Sequence, residues 1–275
     1  MLGTAAKRIE SPGDATYPEG LQPPRSLGAP PLSRSDRVGP NALFPTPSRL
    51  CETTHVPTFH VNAILFDLDG VIVDSTPCGS RIWTAWANQH HLDAAYVVHI
   101  GHGRPTVETV RLVAPHLDAP HHAELIEQAE IADVAGLALL PGARALLAAL
   151  PPDRYTIVTS GGRRLATTRL HAVGLPIPPT MITASDITRG KPDPQPYLAG
   201  AAALGFDPRT CLVFEDAPSG IRAAQAAGAT VIALPTTYPQ DELSTADAII
   251  PSLAAVSATM YPAHNPPLRI EITTS

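Results

Sequence analysis

Residues 63–71 read AILFDLDGV, four apolar side chains followed by two aspartates that stand one residue apart. A short apolar run bounded by polar residues is typical of a strand that is buried on both faces of a parallel sheet. We therefore expect a buried strand over residues 63–66 that ends at Asp67.

Similar apolar runs recur through the second half of the chain. They cover residues 155–159, 181–183, 211–214, 230–234 and 248–250, and helical segments lie between most of them, over 163–172, 196–204 and 219–227. Strands that alternate with helices in this way predict an α/β fold, a parallel sheet with helices on both faces.

The alternation is interrupted after the first strand. Residues 81–89, 107–113 and 122–134 have helical periodicity, and no clear strand lies between the first strand and the one that begins at residue 155. We expect an all-helical cap over residues 77–140, inserted into a core made of 59–76 and 141–258. Such an insertion is a candidate lid, because ligands of these folds bind outside the carboxyl ends of the strands.

Both ends of the chain are predicted to be tails. Residues 1–58 are rich in Pro, Gly, Ser and Arg and lack apolar periodicity, which is typical of disorder. A start codon assigned too far upstream would give the same pattern. Residues 259–275 are expected to form a C-terminal tail.

Composition excludes several classes of function. The formal net charge of -6 offers no basic face for nucleic acid or for an anionic membrane. No apolar run approaches the roughly 20 residues that a membrane span needs. The three cysteines form no CxxC pair, which disfavours a zinc site and fits a reducing compartment. We expect a cytoplasmic protein that acts as a monomer.

Polar residues follow four of the predicted strands. They are Asp67 and Asp69, then Thr159-Ser160-Gly161, then Lys191, and finally Glu215-Asp216. Each alone could be a helix cap, a turn residue or a solvated charge. The loops after parallel strands open on one side of a sheet, so together they predict a site for phosphoryl transfer. Lys191 is the only lysine apart from Lys7.

This set resembles the haloacid dehalogenase-like superfamily, whose motifs read DxDx(T/V), a strand-end Ser or Thr, a Lys and an acidic pair. The resemblance implies a Rossmann-like core with an inserted helical cap and a bound Mg²⁺. It implies that Asp67 is the nucleophile and a metal ligand, and that Asp69 is the general acid/base and a metal ligand through its backbone carbonyl. Asp216 would also bind the metal, with Glu215 beside it.

The remaining motif residues receive roles from the same resemblance. Thr159 would bind phosphate, and Lys191 would neutralise the nucleophile and the phosphate. Ser160 and Gly161, in the loop with Thr159, are expected to contact the substrate. A magnesium ion and an ammonium group would offset the repulsion of clustered carboxylates and the charge of the phosphoryl group.

A narrower resemblance names a substrate class. Segments 62–67, 99–103, 158–161, 190–192 and 214–221 are similar to the glycerol-1-phosphate and 2-deoxyglucose-6-phosphate phosphatases of fungi and their bacterial relatives. The resemblance implies hydrolysis of a small polyol or sugar phosphate through an aspartyl-phosphate.

Other activities of the superfamily fit less well. Dehalogenases lack the second aspartate, which is present here as Asp69, and the predicted cap has no lysine for the Schiff base of phosphonoacetaldehyde hydrolases. A hexose phosphomutase needs both aspartates and stays open. A non-catalytic binding or regulatory protein on the same scaffold stays open too.

Residues 99–105, His-Ile-Gly-His-Gly-Arg-Pro, are the candidate specificity loop in the cap. Two glycines let the backbone approach a ligand, and His102 and Arg104 could bond hydroxyls or phosphate. An ordinary inter-helix turn is the alternative. Trp83 and Trp86 share a helical face, which favours packing inside the cap over stacking on a sugar.

Overall fold

The structure is a computed structural model that describes residues 57–273. The tail predicted for residues 1–58 lies outside the described residues, apart from its last two. The described part contains eleven strands and eight α-helices. The strands are β1 Thr58–Val61, β2 Ala63–Phe66, β3 Val73–Asp74, β4 Ala138–Leu139, β5 Tyr155–Val158, β6 Met181–Ile182, β7 Cys211–Glu215, β8 Thr230–Ala233, β9 Ala248–Ile249, β10 Val256–Met260 and β11 Leu268–Ile272. The helices are α1 Thr76–Gln89, α2 Ala94–Gly101, α3 Thr106–Val113, α4 Ala119–Ala132, α5 Ala143–Ala149, α6 Arg163–Ala172, α7 Gln195–Leu204 and α8 Pro218–Ala226.

The main sheet has six parallel strands in the order β6-β5-β2-β7-β8-β9. Strand β2 lies in its middle and is buried throughout, as a strand covered by helices on both faces must be. The predicted strands are all present, and their ends agree with the prediction or differ by one residue. The predicted α/β fold class is confirmed.

Side chains of β2 alternate between two layers of the core, because successive residues of a strand point to opposite faces. Ile64 and Phe66 pack in one cluster with residues of α5 and α6. Ala63 and Leu65 pack in the other, with residues of α7 and α8. Asp67 directly follows a strand whose two faces are both packed against helices.

Helices α1 to α4 form a cap with its own apolar core, which includes Trp83, Trp86, Val97, Val110 and Ile126. The cap joins the main sheet through β3 and β4, which pair antiparallel. The sequence does not predict these two strands, because two residues are too few to show a period. It also does not predict α2, whose first turn is capped by the Asp93 side chain.

The C-terminal segment is not the tail predicted for residues 259–275. Strand β11 pairs antiparallel with β1 on one side and β10 on the other. Leu268, Ile270 and Ile272 are buried and pack against the main core, while the residues between them are half-buried. This alternation is what a strand with one buried face requires. Strand β1 likewise includes Thr58, the last residue of the predicted N-terminal tail.

Across residues 57–273, we find no helix whose length and apolar character would let it cross a membrane.

Candidate active site

The carboxyl ends of β2, β5 and β7 bring three of the predicted motifs together. The three strands are parallel neighbours, so the residues that follow them lie at one edge of the sheet. The Asp67 amide donates to the Phe214 carbonyl at 3.0 Å, and the Thr159 amide donates to the Ile182 carbonyl at 2.9 Å. These bonds extend the sheet by one residue and fix the backbones that carry the two side chains.

Lys191 joins these strand ends from a buried position. Its Nζ donates to the Val158 carbonyl at 3.1 Å, to Oε1 of Glu215 at 2.7 Å and to Oδ1 of Asp67. Burial alone would lower the pKa of Lys191, but the carboxylates of Asp67 and Glu215 outweigh burial and raise it. The lysine is therefore a fixed positive charge beside Asp67.

Both carboxylate oxygens of Glu215 accept hydrogen bonds from other residues of the protein. Oε1 accepts from Lys191 and from the Tyr197 hydroxyl at 2.7 Å. Oε2 accepts from the amides of Asp216 at 2.9 Å and Ala217 at 3.1 Å. A Cβ at Gly220 would lie 1.6 Å from Oε1, so the first turn of α8 must be free of a side chain there. The contacts make Glu215 an anchor for Lys191.

Asp67 and Asp216 are two further buried acids, at the ends of β2 and β7. Burial raises the pKa of Asp67 to about 8, although Lys191 opposes the shift. Burial, followed by the charges of Asp67 and Glu215, also raises the pKa of Asp216. Gly70 has a φ of +80°, and a Cβ there would lie 1.8 Å from Oδ2 of Asp216. The glycine of the first motif thus lets the Asp216 carboxylate approach the loop after β2.

The charges of this cluster fit a divalent cation. Three buried carboxylates, on Asp67, Glu215 and Asp216, face one buried ammonium, on Lys191, so the cluster carries a formal excess of two negative charges. Oxygen donors are the ligands that Mg²⁺ prefers. Within residues 57–273, however, no three side chains of His, Cys, Asp or Glu are arranged to hold a metal by themselves. Main-chain or substrate oxygens would have to complete the coordination.

A cavity of about 80 Å³ lies between the core and the cap. The predicted site residues on its wall are Asp67, Asp69, Thr159, Ser160, Gly161, His102 and Arg104. Lys191, Glu215 and Asp216 are not on the wall, and Lys191 contacts the lining residue Asp67. The structure therefore brings the candidate specificity loop to the same cavity as the strand-end motifs.

The specificity loop is shorter than predicted, because its first three residues form the end of α2. Its Gly103 carbonyl accepts hydrogen bonds from the hydroxyls of Ser160 at 3.0 Å and Ser219 at 3.1 Å. The Tyr238 hydroxyl donates to the His99 carbonyl at 2.5 Å. The hydroxyl of Ser160, predicted to contact substrate, is here bonded to the cap. The cap is thus docked over Asp67.

The cavity also has charged residues that the sequence did not single out, Arg169 from α6 and Glu130 from α4. Both are buried. Arg169 follows the buried Leu165 by one helical turn, on the apolar face of α6. A charged residue on an apolar face needs a partner of opposite charge, and this pattern is the signal that could have found it. Trp83 packs in the cap core as predicted and also lines the cavity.

The sequence of residues 61–228 matches the model of the haloacid dehalogenase-like hydrolases. The chain belongs to this family. Among the relatives of this haloacid dehalogenase-like hydrolase, hexitol phosphatase A of Escherichia coli is 39% identical over 203 residues, which cover 72% of this chain and 94% of the relative. Glycerol-1-phosphate phosphohydrolase 1 of Saccharomyces cerevisiae is 36% identical over 204 residues, covering 70% of this chain and 81% of the relative.

A solved structure gives the same result for the fold. A hydrolase from Pseudomonas syringae superposes with a TM-score of 0.65 at 28% sequence identity, over 70% of this chain and 94% of that one. The family membership and the core-and-cap architecture predicted from the motifs are both confirmed. The chain is an enzyme of the hydrolase class.

Proposed function

We propose that this hydrolase is a Mg²⁺-dependent phosphatase that cleaves a small polyol or sugar phosphate through an aspartyl-phosphate on Asp67. The observation that carries the proposal is the contact between Asp67 and the buried Lys191. Asp67 lines a cavity, and Asp69 lines the same cavity. The names of the relatives support the substrate class, since they are phosphatases of hexitol and glycerol phosphates.

In this proposal, a carboxylate oxygen of Asp67 attacks the phosphorus atom, and the bond from phosphorus to the substrate oxygen breaks. A carboxylate nucleophile divides hydrolysis into two easier displacements. The ammonium group of Lys191 stabilises charge on the transferring phosphoryl group. Because Lys191 is also paired with Glu215, its ammonium group is already fixed beside Asp67 and need not move during the reaction.

The metal would be held by the carboxylates of Asp67 and Asp216 and by the main-chain carbonyl of Asp69. Glu215 is less suited to direct contact, because its oxygens already accept four hydrogen bonds from the protein. A bound Mg²⁺ supplies charge stabilisation for the phosphoryl oxygens and favours the ionised form of the nucleophile.

Asp69 would act as the general acid and base. It gives a proton to the departing substrate oxygen in the first displacement. In the second displacement it removes a proton from the water that attacks the aspartyl-phosphate. Inorganic phosphate leaves, and the Asp67 carboxylate is regenerated.

Binding of the substrate would be divided between the core and the cap. Thr159 and Gly161 follow β5 and line the cavity, and the Thr159 hydroxyl, which accepts from the Gly161 amide at 3.1 Å, would donate a hydrogen bond to a phosphate oxygen. Burial lowers the pKa of His102. A neutral imidazole has one donor and one acceptor and so suits a hydroxyl group. Arg104, half-buried on the cavity wall, would contact hydroxyls of the substrate.

We also propose, from the sequence, that the protein is a monomer in the cytoplasm and that it binds neither nucleic acid nor membrane. Cys78 and Cys211 are free and buried, as is usual for cysteines of a reducing compartment.

A panel of phosphate esters tests the proposed function. Purified protein with Mg²⁺ should release inorganic phosphate from a hexitol phosphate or from glycerol-1-phosphate, and EDTA should stop the release. The matched control is Asp67→Asn, which keeps the shape of the side chain and removes the nucleophilic charge. Isomerisation of a hexose phosphate that outruns phosphate release would favour the mutase, and no reaction with any ester would favour the non-catalytic reading.

A further inference from the structure

Arg169 lies in α6 of the core and bridges two carboxylates. Its Nη1 lies 2.8 Å from Oδ2 of Asp69, and its Nη2 lies 3.2 Å from Oε1 of Glu130. Glu130 belongs to α4 of the cap, so the bridge connects the loop after β2 with the cap. No step of the proposed reaction uses Arg169 or Glu130 directly.

The bridge is buried, so each of its charged groups needs a partner of opposite charge. The side chains of Arg169 and Glu130 are 7% and 6% exposed. Burial lowers the pKa of Arg169, but the charges of Asp69 and Glu130 outweigh burial and raise it. A guanidinium group at this depth needs its partners, because an unpaired buried charge is strongly destabilising. The orientation of Asp69 is thus determined by a charge that cannot turn to solvent.

The two oxygens of Asp69 have different surroundings. Oδ2 is held by Arg169. Oδ1 is buried and has no hydrogen-bond partner among residues 57–273. Asp69 lines the cavity beside Asp67, and its side chain is 28% exposed, so the carboxyl group that Arg169 holds lies next to the nucleophile.

We infer that Arg169 is a positioning residue for the general acid/base: it holds the carboxyl group of Asp69 in the orientation in which it exchanges the proton, and Glu130 of the cap holds Arg169 in place. The inference rests on the proposed function. The carboxyl group of Asp69 gives its proton to the substrate oxygen as the bond to phosphorus breaks. It then takes a proton from the attacking water, and the charge of Arg169 balances the carboxylate between the two displacements.

The test compares two steps that depend on Asp69 differently. A nitrophenolate ion leaves without a proton, so transfer of the phosphoryl group from p-nitrophenyl phosphate to Asp67 needs no acid. Removal of that group by water still needs the base. Arg169→Gln should therefore show a rapid burst of close to one nitrophenolate per enzyme, followed by slow turnover. A merely structural defect would slow the burst as well.

With an alkyl ester such as glycerol-1-phosphate, Arg169→Gln should lower kcat by at least about tenfold and change KM little, since positioned acid-base catalysis contributes roughly 10²–10⁴-fold. Arg169→Lys should recover part of the loss. Arg164→Gln, an exposed arginine of the same helix, is the matched control and should behave as the unmodified enzyme.

Glu130→Gln serves if Arg169→Gln fails to fold, because it keeps the shape and an acceptor oxygen while removing the charge. It should lower kcat for the alkyl ester in the same direction and by a smaller factor. An unchanged kcat in the folded variants, or loss of the nitrophenolate burst, overturns the inference while phosphatase activity of the unmodified enzyme stands. An unmodified enzyme that hydrolyses no ester overturns the proposed function and this inference together.

Discussion

The ammonium group of Lys191 lies 2.7 Å from Oε1 of Glu215, and both side chains are 1% exposed. The pair is connected to the nucleophile, because the same Nζ contacts Asp67. Removing one of two opposite charges at this depth leaves the other buried without its counter-ion, so the arrangement of the site depends on keeping both members.

Lys191→Met should therefore abolish turnover and lower the free energy of unfolding by about 3 kcal/mol, because it leaves buried carboxylates without their cation. Arg189→Met is the control, since Arg189 lies in the same loop with its side chain 71% exposed. It should change the free energy by less than about 0.5 kcal/mol. Urea denaturation measures both. A Lys191→Met protein of unchanged stability would contradict the role of the pair.

Asp216→Asn and Glu215→Gln should separate the two acids that follow β7. We expect Asp216→Asn to raise the Mg²⁺ concentration needed for half-maximal activity by about tenfold or more, because it removes a charged oxygen ligand. Glu215→Gln should lower kcat through Lys191 and change the Mg²⁺ requirement less. A Mg²⁺ titration in which Glu215→Gln raises the half-maximal Mg²⁺ concentration more than Asp216→Asn does would make Glu215 the direct ligand.

Mg²⁺ binding should depend on pH through Asp67. In the metal-free folded protein, the pKa of Asp67 is raised from its usual 3.8 to about 8, so the folded state holds a proton that the unfolded chain has lost. The free energy of unfolding of the metal-free protein should fall as pH rises from about 4 to about 8. Mg²⁺ needs ionised carboxylates, so its binding releases protons below that pH and strengthens as pH rises.

The measurement is the increase in Tm that Mg²⁺ causes, taken at pH 5.5 and at pH 8 against EDTA. The increase should be larger at pH 8. An increase that is equal or larger at pH 5.5 would contradict the assignment of Asp67 to the metal.

Much of this fold was readable from local sequence. Strands β2, β5 and β7 are short runs of buried residues between polar ones, and α6 has the bounds that its periodicity predicts. The strand-end residues could be placed at one site because parallel strands end at one edge. These features depend on neighbours in the chain or on the direction of the strands alone.

The rest depends on contacts between distant parts of the chain. Arg169 and Glu130 are 39 residues apart, and nothing in either helix specifies the other as its partner. The sequence does not predict strand β11, because it follows a proline-containing segment and becomes recognisable only through its pairing with β1, at the other end of the described chain.

Strand β11 should nevertheless be essential to stability. Ile270 is fully buried in the main core, so Ile270→Ala should lower the free energy of unfolding by about 2–4 kcal/mol. Glu271→Ala, at the next and half-exposed position of the strand, is the control and should cost less than about 1 kcal/mol. If chemical denaturation shows that both variants lower the free energy of unfolding by the same small amount, the strand does not belong to the core.

The phosphoryl group on Asp67 is the central claim, and one measurement tests it directly. The enzyme is mixed with Mg²⁺ and excess glycerol-1-phosphate or hexitol phosphate, quenched in acid within the first turnovers, and digested for peptide mass mapping. We expect one phosphoryl group on the peptide that contains Asp67, located on that residue by fragmentation, and none in Asp67→Asn, which should also be inactive. Turnover of the ester with no phosphoryl group on Asp67, or an active Asp67→Asn enzyme verified free of deamidation, would contradict the account.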